Sequence, residues 1–439
     1  MNRKKEIMRK MISWRPDSKQ CFYLFLLFFL FALLRDPMEQ MIHPISYVDE
    51  LLALCAVPLF GMEYIKNKPK TLFQKGGYAR YIIFFLLTGL AGSIVYHYQP
   101  FGQTALVDMF LCVKFWLAIY VGKVMFENLS LKKYADNIYL CVRVTVWIFT
   151  LLILADYLLW IVNSGNGIFP GEIRLGIKSV KLFYSHPSVF ASICAFLMAV
   201  LVAVGDYVKG SRMYLLLLGI MMGLTLRSKA LGAAVIIALL YICVYFWKKK
   251  LSLKMLIGCI PVLLIVGAYQ IYYYFFSSLQ NESARYQLMT KSIEIAADHF
   301  PLGSGFGTFA SYISAEWYSP IYEMYGLSHV WGLEQGKAYF VSDNFWPMIL
   351  GQTGWPGLVC FGAAVIFLFL GVQKLYEIRK GLYLSGLIVL VYLLIASVAE
   401  SAFAHPTAIP LAVWLGILLK KDSNYDEEKR ISEYCSANL

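Results

Sequence analysis

Four cationic side chains stand where a phosphate could be held. Arg227 and Lys229 lie in the stretch Leu226-Arg-Ser-Lys-Ala, a turn between two apolar runs. A turn that tight keeps both charges at a membrane boundary, where they are costly unless they face a polar cavity. Arg285 opens a periodic segment further on, and Arg174 follows Gly165, Gly167, Pro170, Gly171 and Glu172 in a second polar stretch. A guanidinium is a planar fork that holds phosphate oxygens bidentately. Several arginines converging at one membrane face would suit a lipid-linked pyrophosphate. The competing reading is that each one snorkels to lipid headgroups. The stretch Pro301-Leu-Gly-Ser-Gly-Phe-Gly-Thr-Phe supplies Gly303, Gly305 and Gly307, which permit positive φ and close backbone approach to a ligand. Ser342-Asp-Asn-Phe-Trp places Asp343 and Asn344 at the foot of an apolar run that continues into Gly351-Gln-Thr-Gly-Trp-Pro-Gly-Leu, the pattern of a kinked span. The six histidines show no metal-ligand spacing, and there is no GxxxxGK[ST], GxGxxG after a strand or GxSxG elbow. Neither a metal nor a nucleotide cofactor is expected.

The elements that must carry these residues are membrane spans. Of the 439 residues, 59% are hydrophobic and 15% charged, and mean hydropathy is +0.61. A soluble domain is nearer half apolar and a quarter charged. Twelve apolar runs are predicted to cross, at about 21–34, 47–65, 79–98, 104–126, 138–162, 184–207, 212–226, 230–247, 253–276, 343–372, 382–402 and 404–419. Such runs are too long and unalternating for barrel strands, so the fold class is all-α, a polytopic helix bundle. The net charge of +12 does not signal nucleic acid, because the basic residues sit in short clusters between apolar runs. The first run follows a basic tail without a small-residue cleavage site, and is expected to be an uncleaved anchor. With that tail inside, the inner segments hold 28 Lys and Arg and the outer segments nine. The positive-inside rule then puts both termini in the cytoplasm. The organisation expected is a tail at 1–20, a membrane domain at 21–419 with a long outer loop at 277–342, and a second tail at 420–439.

Within that loop, residues 283–299 have helical periodicity. Tyr286, Met289, Ile293, Ala296 and Phe300 form one stripe, and Gln287, Lys291, Glu294 and Asp298 the other. An amphipathic helix on the outer membrane surface, or across the mouth of the bundle, is the expectation. Asp108 and Lys114 share one span but are set about 240° apart, so each needs a partner on another element.

Read in order, these pieces resemble the O-antigen polymerase and ligase family of bacterial membrane glycosyltransferases, whose polymerase branch is called Wzy-type. The resemblance covers about residues 170–372 and rests on Tyr184-Ser-His-Pro-Ser-Val-Phe-Ala-Ser, Leu224-Thr-Leu-Arg-Ser-Lys-Ala-Leu-Gly, Ser283-Ala-Arg, the glycine turn at 301–309 and the run from Ser342 to Leu358. It implies a metal-independent glycosyltransferase in the bacterial plasma membrane, acting at the outer face on polyprenyl-pyrophosphate-linked oligosaccharide donor and acceptor, for O-antigen, capsule or exopolysaccharide. A chain-length regulator or flippase would be its protein partner. Arg227 and Arg285 match the family's outer arginines, which hold the pyrophosphate; Arg174 and Lys229 are further candidates for it on their charge and outer position alone. The ligase branch has a histidine where this chain has Asp343, which favours polymerase over ligase. An acceptor hydroxyl needs a general base, for which Asp343 and His329 are the candidates, with Glu334 behind them. The reading from another class is a transporter or flippase, to which many spans with both ends inside is common.

Overall fold

The computed structural model describes residues 16–67, 77–163, 165–174, 176–251 and 283–420, with isolated positions between 252 and 282. The tails outside 16–420, most of the loop predicted at 66–80, the span predicted at 253–276 and the first residues of the long loop lie outside the described residues.

Among the described residues, the α-helices of seven residues or more run in chain order as α1 (Ser18–Glu39), α2 (Val48–Leu54), α3 (Ala56–Asn67), α4 (Ala79–Tyr96), α5 (Leu106–Met125), α6 (Ala135–Val162), α7 (Pro187–Gly205), α8 (Ser211–Leu224), α9 (Ser228–Tyr241), α10 (Ala284–Asp298), α11 (Phe345–Ile378), α12 (Lys380–Ala396) and α13 (Ala408–Leu418). Two-residue strands, β1 (Ile173–Arg174) and β2 (Ile177–Lys178), pair antiparallel between α6 and α7. Among the described residues, eight helical segments are long and apolar enough to cross a membrane, and α8, α12 and α13 are shorter apolar helices. The fold is an all-α polytopic bundle. The run expected at 47–65 is broken into a 3-10 turn, α2 and α3.

Helix α7 is apolar all round and almost entirely buried, with α8 and α12 packed against it. This is what a helix without a polar face does when its neighbours are protein. Helix α13 crosses α5 where Gly122 and Gly416 meet, and a Cβ on either would run into the opposite backbone. Small residues at such a crossing let the helices approach closely in lipid. Leu27, Leu30, Leu34, Phe84, Leu87, Leu151, Leu154 and Leu158 point outward, forming the lipid-facing belt of α1, α4 and α6.

Helix α11 breaks at Gly354, with φ 65° and ψ −173°, two residues before Pro356. Proline has no N–H for the Gln352 carbonyl, so the kink leaves backbone acceptors open. The glycine turn fills them: Ser304 N–H donates to Gly351 O and Gly305 N–H to Gln352 O, each at 2.9 Å. On its other side Phe306 N–H donates to Ser93 Oγ at 2.9 Å and Gly307 N–H to Asp108 Oδ2 at 2.8 Å. Irregular backbone at this depth is tolerable because protein, not lipid, surrounds it. The close approach that Gly303, Gly305 and Gly307 allow is therefore to the protein's own helices.

The long-loop helix α10 packs on α11, and its apolar residues divide into two faces. Ala284, Leu288, Ser292, Ile295 and Ala296 are buried. Of the expected stripe Tyr286, Met289, Ile293, Ala296 and Phe300, Ala296 is buried and Tyr286 half-buried, while Met289, Ile293 and Phe300 remain exposed. The buried face lies beside the expected stripe, because α10 has both a protein and an open side to cover.

Lys114 finds its partners on α2, pairing with Asp49 at 2.7 Å and Glu50 at 3.0 Å. Asp49 also pairs with Arg35 at 3.1 Å, and Arg35 with Glu39 at 2.9 Å. Asp49 and Lys114 are buried.

The connections sort into two ends. Asp36 receives Ser185, Gln40 reaches Phe183 O, Gln99 reaches Trp317 O, and Ser401 reaches Ser342 O at one end. At the other, Asn128 reaches Pro16 O, Tyr245 and the Gly381 N–H donate to Asp206, and Tyr376 reaches Lys248 O.

Candidate functional site

At the first end, three connections from distant parts of the chain, with Glu400 from a fourth between α12 and α13, bring seven charged side chains into one cluster. The first is the 165–183 segment. Lys178 and Asp156 form a buried pair at 2.7 Å, and Tyr157 donates to Lys178 O at 2.6 Å, so the hairpin is fastened to α6. From there Val180 N–H donates to Leu224 O at 2.9 Å and Ser179 Oγ to Thr225 O at 2.7 Å. The hairpin is thus tied to the turn that carries Arg227. Glu172 meets Arg174 at 2.9 Å and both of its oxygens meet Arg227 Nη2 at 3.3 Å.

The second connection is the α8–α9 turn. Leu226 has φ 51°, a left-handed conformation that costs a leucine on the order of 1 kcal/mol. It turns the chain sharply enough for Arg227 to stand at the N-cap of α9, with Lys229 inside its first turn. Lys229 ion-pairs with Glu400, in the connection between α12 and α13.

The third is the junction of the long loop with α11. Arg285 Nη2 donates to Asp343 Oδ2 at 2.9 Å, and Asn344 Nδ2 donates to the Arg285 carbonyl at 3.0 Å. Ser401 donates to Ser342 O through N–H and hydroxyl, holding the Glu400 connection beside Asp343. Asn344, not Asp343, is the N-cap residue of α11, and neither side chain caps it. The carboxylate of Asp343 is spent on Arg285.

The three groups feel one another. Burial raises the Asp343 carboxyl above its ordinary range, against the opposing pull of Arg285 and Lys229. Hydrogen bonds from Arg174, with the charge of Arg227, hold Glu172 below the ordinary carboxylate range. Desolvation and repulsion from Arg174 and Arg285 lower the Arg227 guanidinium. His186, the N-cap of α7, accepts Ser188 N–H through Nδ1 at 3.1 Å. Desolvation and the cations Arg227 and Lys229 push it down to about 4, so it is neutral near pH 7, with its proton on Nε2.

Arg174, Arg227, Lys229, Arg285, Asp343 and Asn344 are therefore brought together. His329, exposed at the end of a 3-10 turn, and Glu334, 3.9 Å from Lys337, have no hydrogen bond or ion pair to this cluster among the described residues. Gly303, Gly305 and Gly307 sit in the wedge against α11. Sequence reasoning passed over Glu172, His186 and Glu400. A lone carboxylate at the end of the apolar run 382–402 was a usable signal for Glu400, since such groups need a specific partner. For His186 the stretch Tyr184-Ser-His-Pro was a signal that was not followed to a site role, and for Glu172 no comparable signal exists.

The chemistry available is anion binding by four cations, with one carboxylate whose proton affinity is raised by burial. Residues 212–362, from the start of α8 through Arg227, Lys229, Arg285 and Asp343 into α11, match the family model described as O-Antigen ligase. No curated protein matches the chain.

Proposed function

We propose, on the premise of the match of residues 212–362 to the O-Antigen ligase family model, that the chain is a membrane glycosyltransferase that polymerises polyprenyl-pyrophosphate-linked oligosaccharide units. The supporting observation is the convergence of Arg174, Arg227, Lys229 and Arg285 around Asp343 at one end of the bundle. Outside the cytoplasm there is no nucleotide sugar, so the donor brings its own leaving group. As its anomeric carbon–oxygen bond breaks, charge gathers on the lipid pyrophosphate. Fixed guanidinium groups stabilise that charge in the transition state more than in the ground state. The acceptor hydroxyl attacks the anomeric carbon and gives its proton to Asp343. The chain's own cations supply the charge stabilisation, so no metal is needed. The end holding the site is the outer one in this reading, and both termini are cytoplasmic.

Polymerase is preferred over ligase because a carboxylate stands where the ligase branch has its histidine. Deleting the gene in its own host and analysing the polysaccharide by gel tests the reading. Loss of the polymer ladder with single units still displayed outside is the expected result. Single units stranded inside would instead mean a transporter.

A further inference from the structure

Every cation of the cluster already has an anion. Arg174 and Arg227 share Glu172, Lys229 holds Glu400, and Arg285 holds Asp343. Resting on the pyrophosphate reading, we propose that Glu172, Glu400 and Asp343 are resident counter-ions which the donor pyrophosphate displaces, and that this displacement is what frees Asp343 to act as base.

The pairings differ in the way such an exchange needs. The side chains of Arg227 and Lys229 are 15% exposed, whereas that of Glu172 is 61% exposed. At Arg227 the cation is held by the fold and its counter-ion Glu172 is free to swing away, whereas Glu400 and Asp343, 22% and 28% exposed, must be displaced in place. The bonds from Arg227 to Glu172 are 3.3 Å long, against roughly 2.7–2.9 Å for a well-made charge-assisted pair. Arg227 Nε is buried and has no acceptor among the described residues. An unsatisfied buried donor on a charged group is costly, and an incoming phosphate oxygen is an acceptor that would relieve it.

Four cations face three carboxylates, so the empty site is nearly neutral, which lets it stand at a membrane surface without collapse. A donor pyrophosphate tips the balance to negative. A proton is then the cheapest compensation, and Asp343 is the group placed to take it: from the acceptor hydroxyl in the reaction, and from solvent when the probe binds without an acceptor. The groups facing it are Arg285 from α10, Lys229 from α9 and Glu400 from the α12–α13 connection. Once pyrophosphate engages Arg285, the cation that restrains proton binding at Asp343 is shared, and the repulsion from Glu400 is felt more fully. The base strengthens only when the donor is present.

The test uses full-length protein in nanodiscs, with inorganic pyrophosphate as probe, read by titration calorimetry. Glu172→Gln and Glu400→Gln each remove a competitor, so they should bind pyrophosphate roughly two- to fivefold more tightly than the native protein. Glu172→Asp, which keeps the charge, should stay near native. Arg227→Ala should weaken binding. In buffers of differing ionisation enthalpy near pH 6.5, the native protein should take up more protons on binding than Asp343→Asn does. Arginine-dependent binding that neither glutamine variant tightens, with no difference in proton uptake, overturns the displacement and leaves the pyrophosphate reading intact. Absence of arginine-dependent binding overturns both. If a glutamine variant does not fold, the proton comparison decides alone.

Discussion

Asp343 is one residue short of capping α11, and its carboxylate goes to Arg285 instead. The Asp343 carboxylate therefore has no capping role. Asp343→Asn keeps shape and loses charge, so polymer formation should fall sharply while membrane abundance holds, as measured by gel and by immunoblot. The pH profile carries the same information. Burial raises the Asp343 carboxyl, so its protonated, inactive form persists to higher pH than for an ordinary aspartate. Activity should fall on acidification through that raised value, and the residual activity of Asp343→Asn should lack this limb. Arg227→Ala and Arg285→Ala should cut activity by roughly 10- to 100-fold, the worth of a hydrogen bond to a charged group, and Arg→Lys by less. Wild-type polymer from well-expressed alanine variants would falsify their assignment. His186 adds no titration near neutrality, because its proton affinity is pushed down to about 4.

The site depends on elements that lie away from it. The hairpin bearing Glu172 and Arg174 is pinned by the buried Lys178–Asp156 pair. Removing one partner of such a pair strands a buried charge, so Lys178→Met should destabilise the protein by about 3–5 kcal/mol, seen as a lower thermal midpoint in detergent. Lys178→Met with Asp156→Asn should recover part of the loss. Gly305, with φ 97° and its Cα against Ser93, tolerates no Cβ, so Gly305→Ala should lower abundance rather than pyrophosphate affinity. Elements such as these were partly legible. The kink of α11 could be read from Gly354 and Pro356, and the arginine turn from its two flanking apolar runs. Which face of α10 is buried could not be read, because in a membrane protein both the protein-facing and the lipid-facing sides are apolar and periodicity does not separate them. His186 and Glu400 stayed hidden because their meaning comes from partners roughly 40 to 210 residues away, set by helix packing rather than by local spacing, and Glu172 because its link to Arg227 crosses 55 residues. His329 looked close to Asp343 in the chain, but the loop between them folds back through Phe340 N–H on Gly332 O.

At the scale of the molecule, the contacts divide the connections into two ends, and the basic residues divide the same way. The end with Lys209, Arg212, Lys248, Lys249 and Lys250 holds the expected inner segments, while the end with the charged cluster holds the expected outer ones. An engineered cysteine at Lys249 should resist an impermeant reagent in intact cells, and one at Tyr339, 71% exposed, should react. The native Cys55, which is exposed, must be replaced first to silence background. Labelling at Lys249 from outside would invert the topology and remove the donor from the proposed site.

The buried network of α1, α2 and α5 has a consequence for biogenesis. A lysine at mid-span costs about 2.5–3.5 kcal/mol when a helix is threaded into the bilayer alone. Lys114 leaves the ribosome some 65 residues after Asp49 and Glu50, its eventual partners. Arg35, which shares Asp49, comes earlier still. The acids and their first cation are therefore already beside the insertion machinery when α5 arrives, and the lysine enters a prepared berth rather than bare hydrocarbon. Synthesis order and charge order agree, so moving Lys114 ahead of α2 by circular permutation should cripple insertion even though every native contact is preserved.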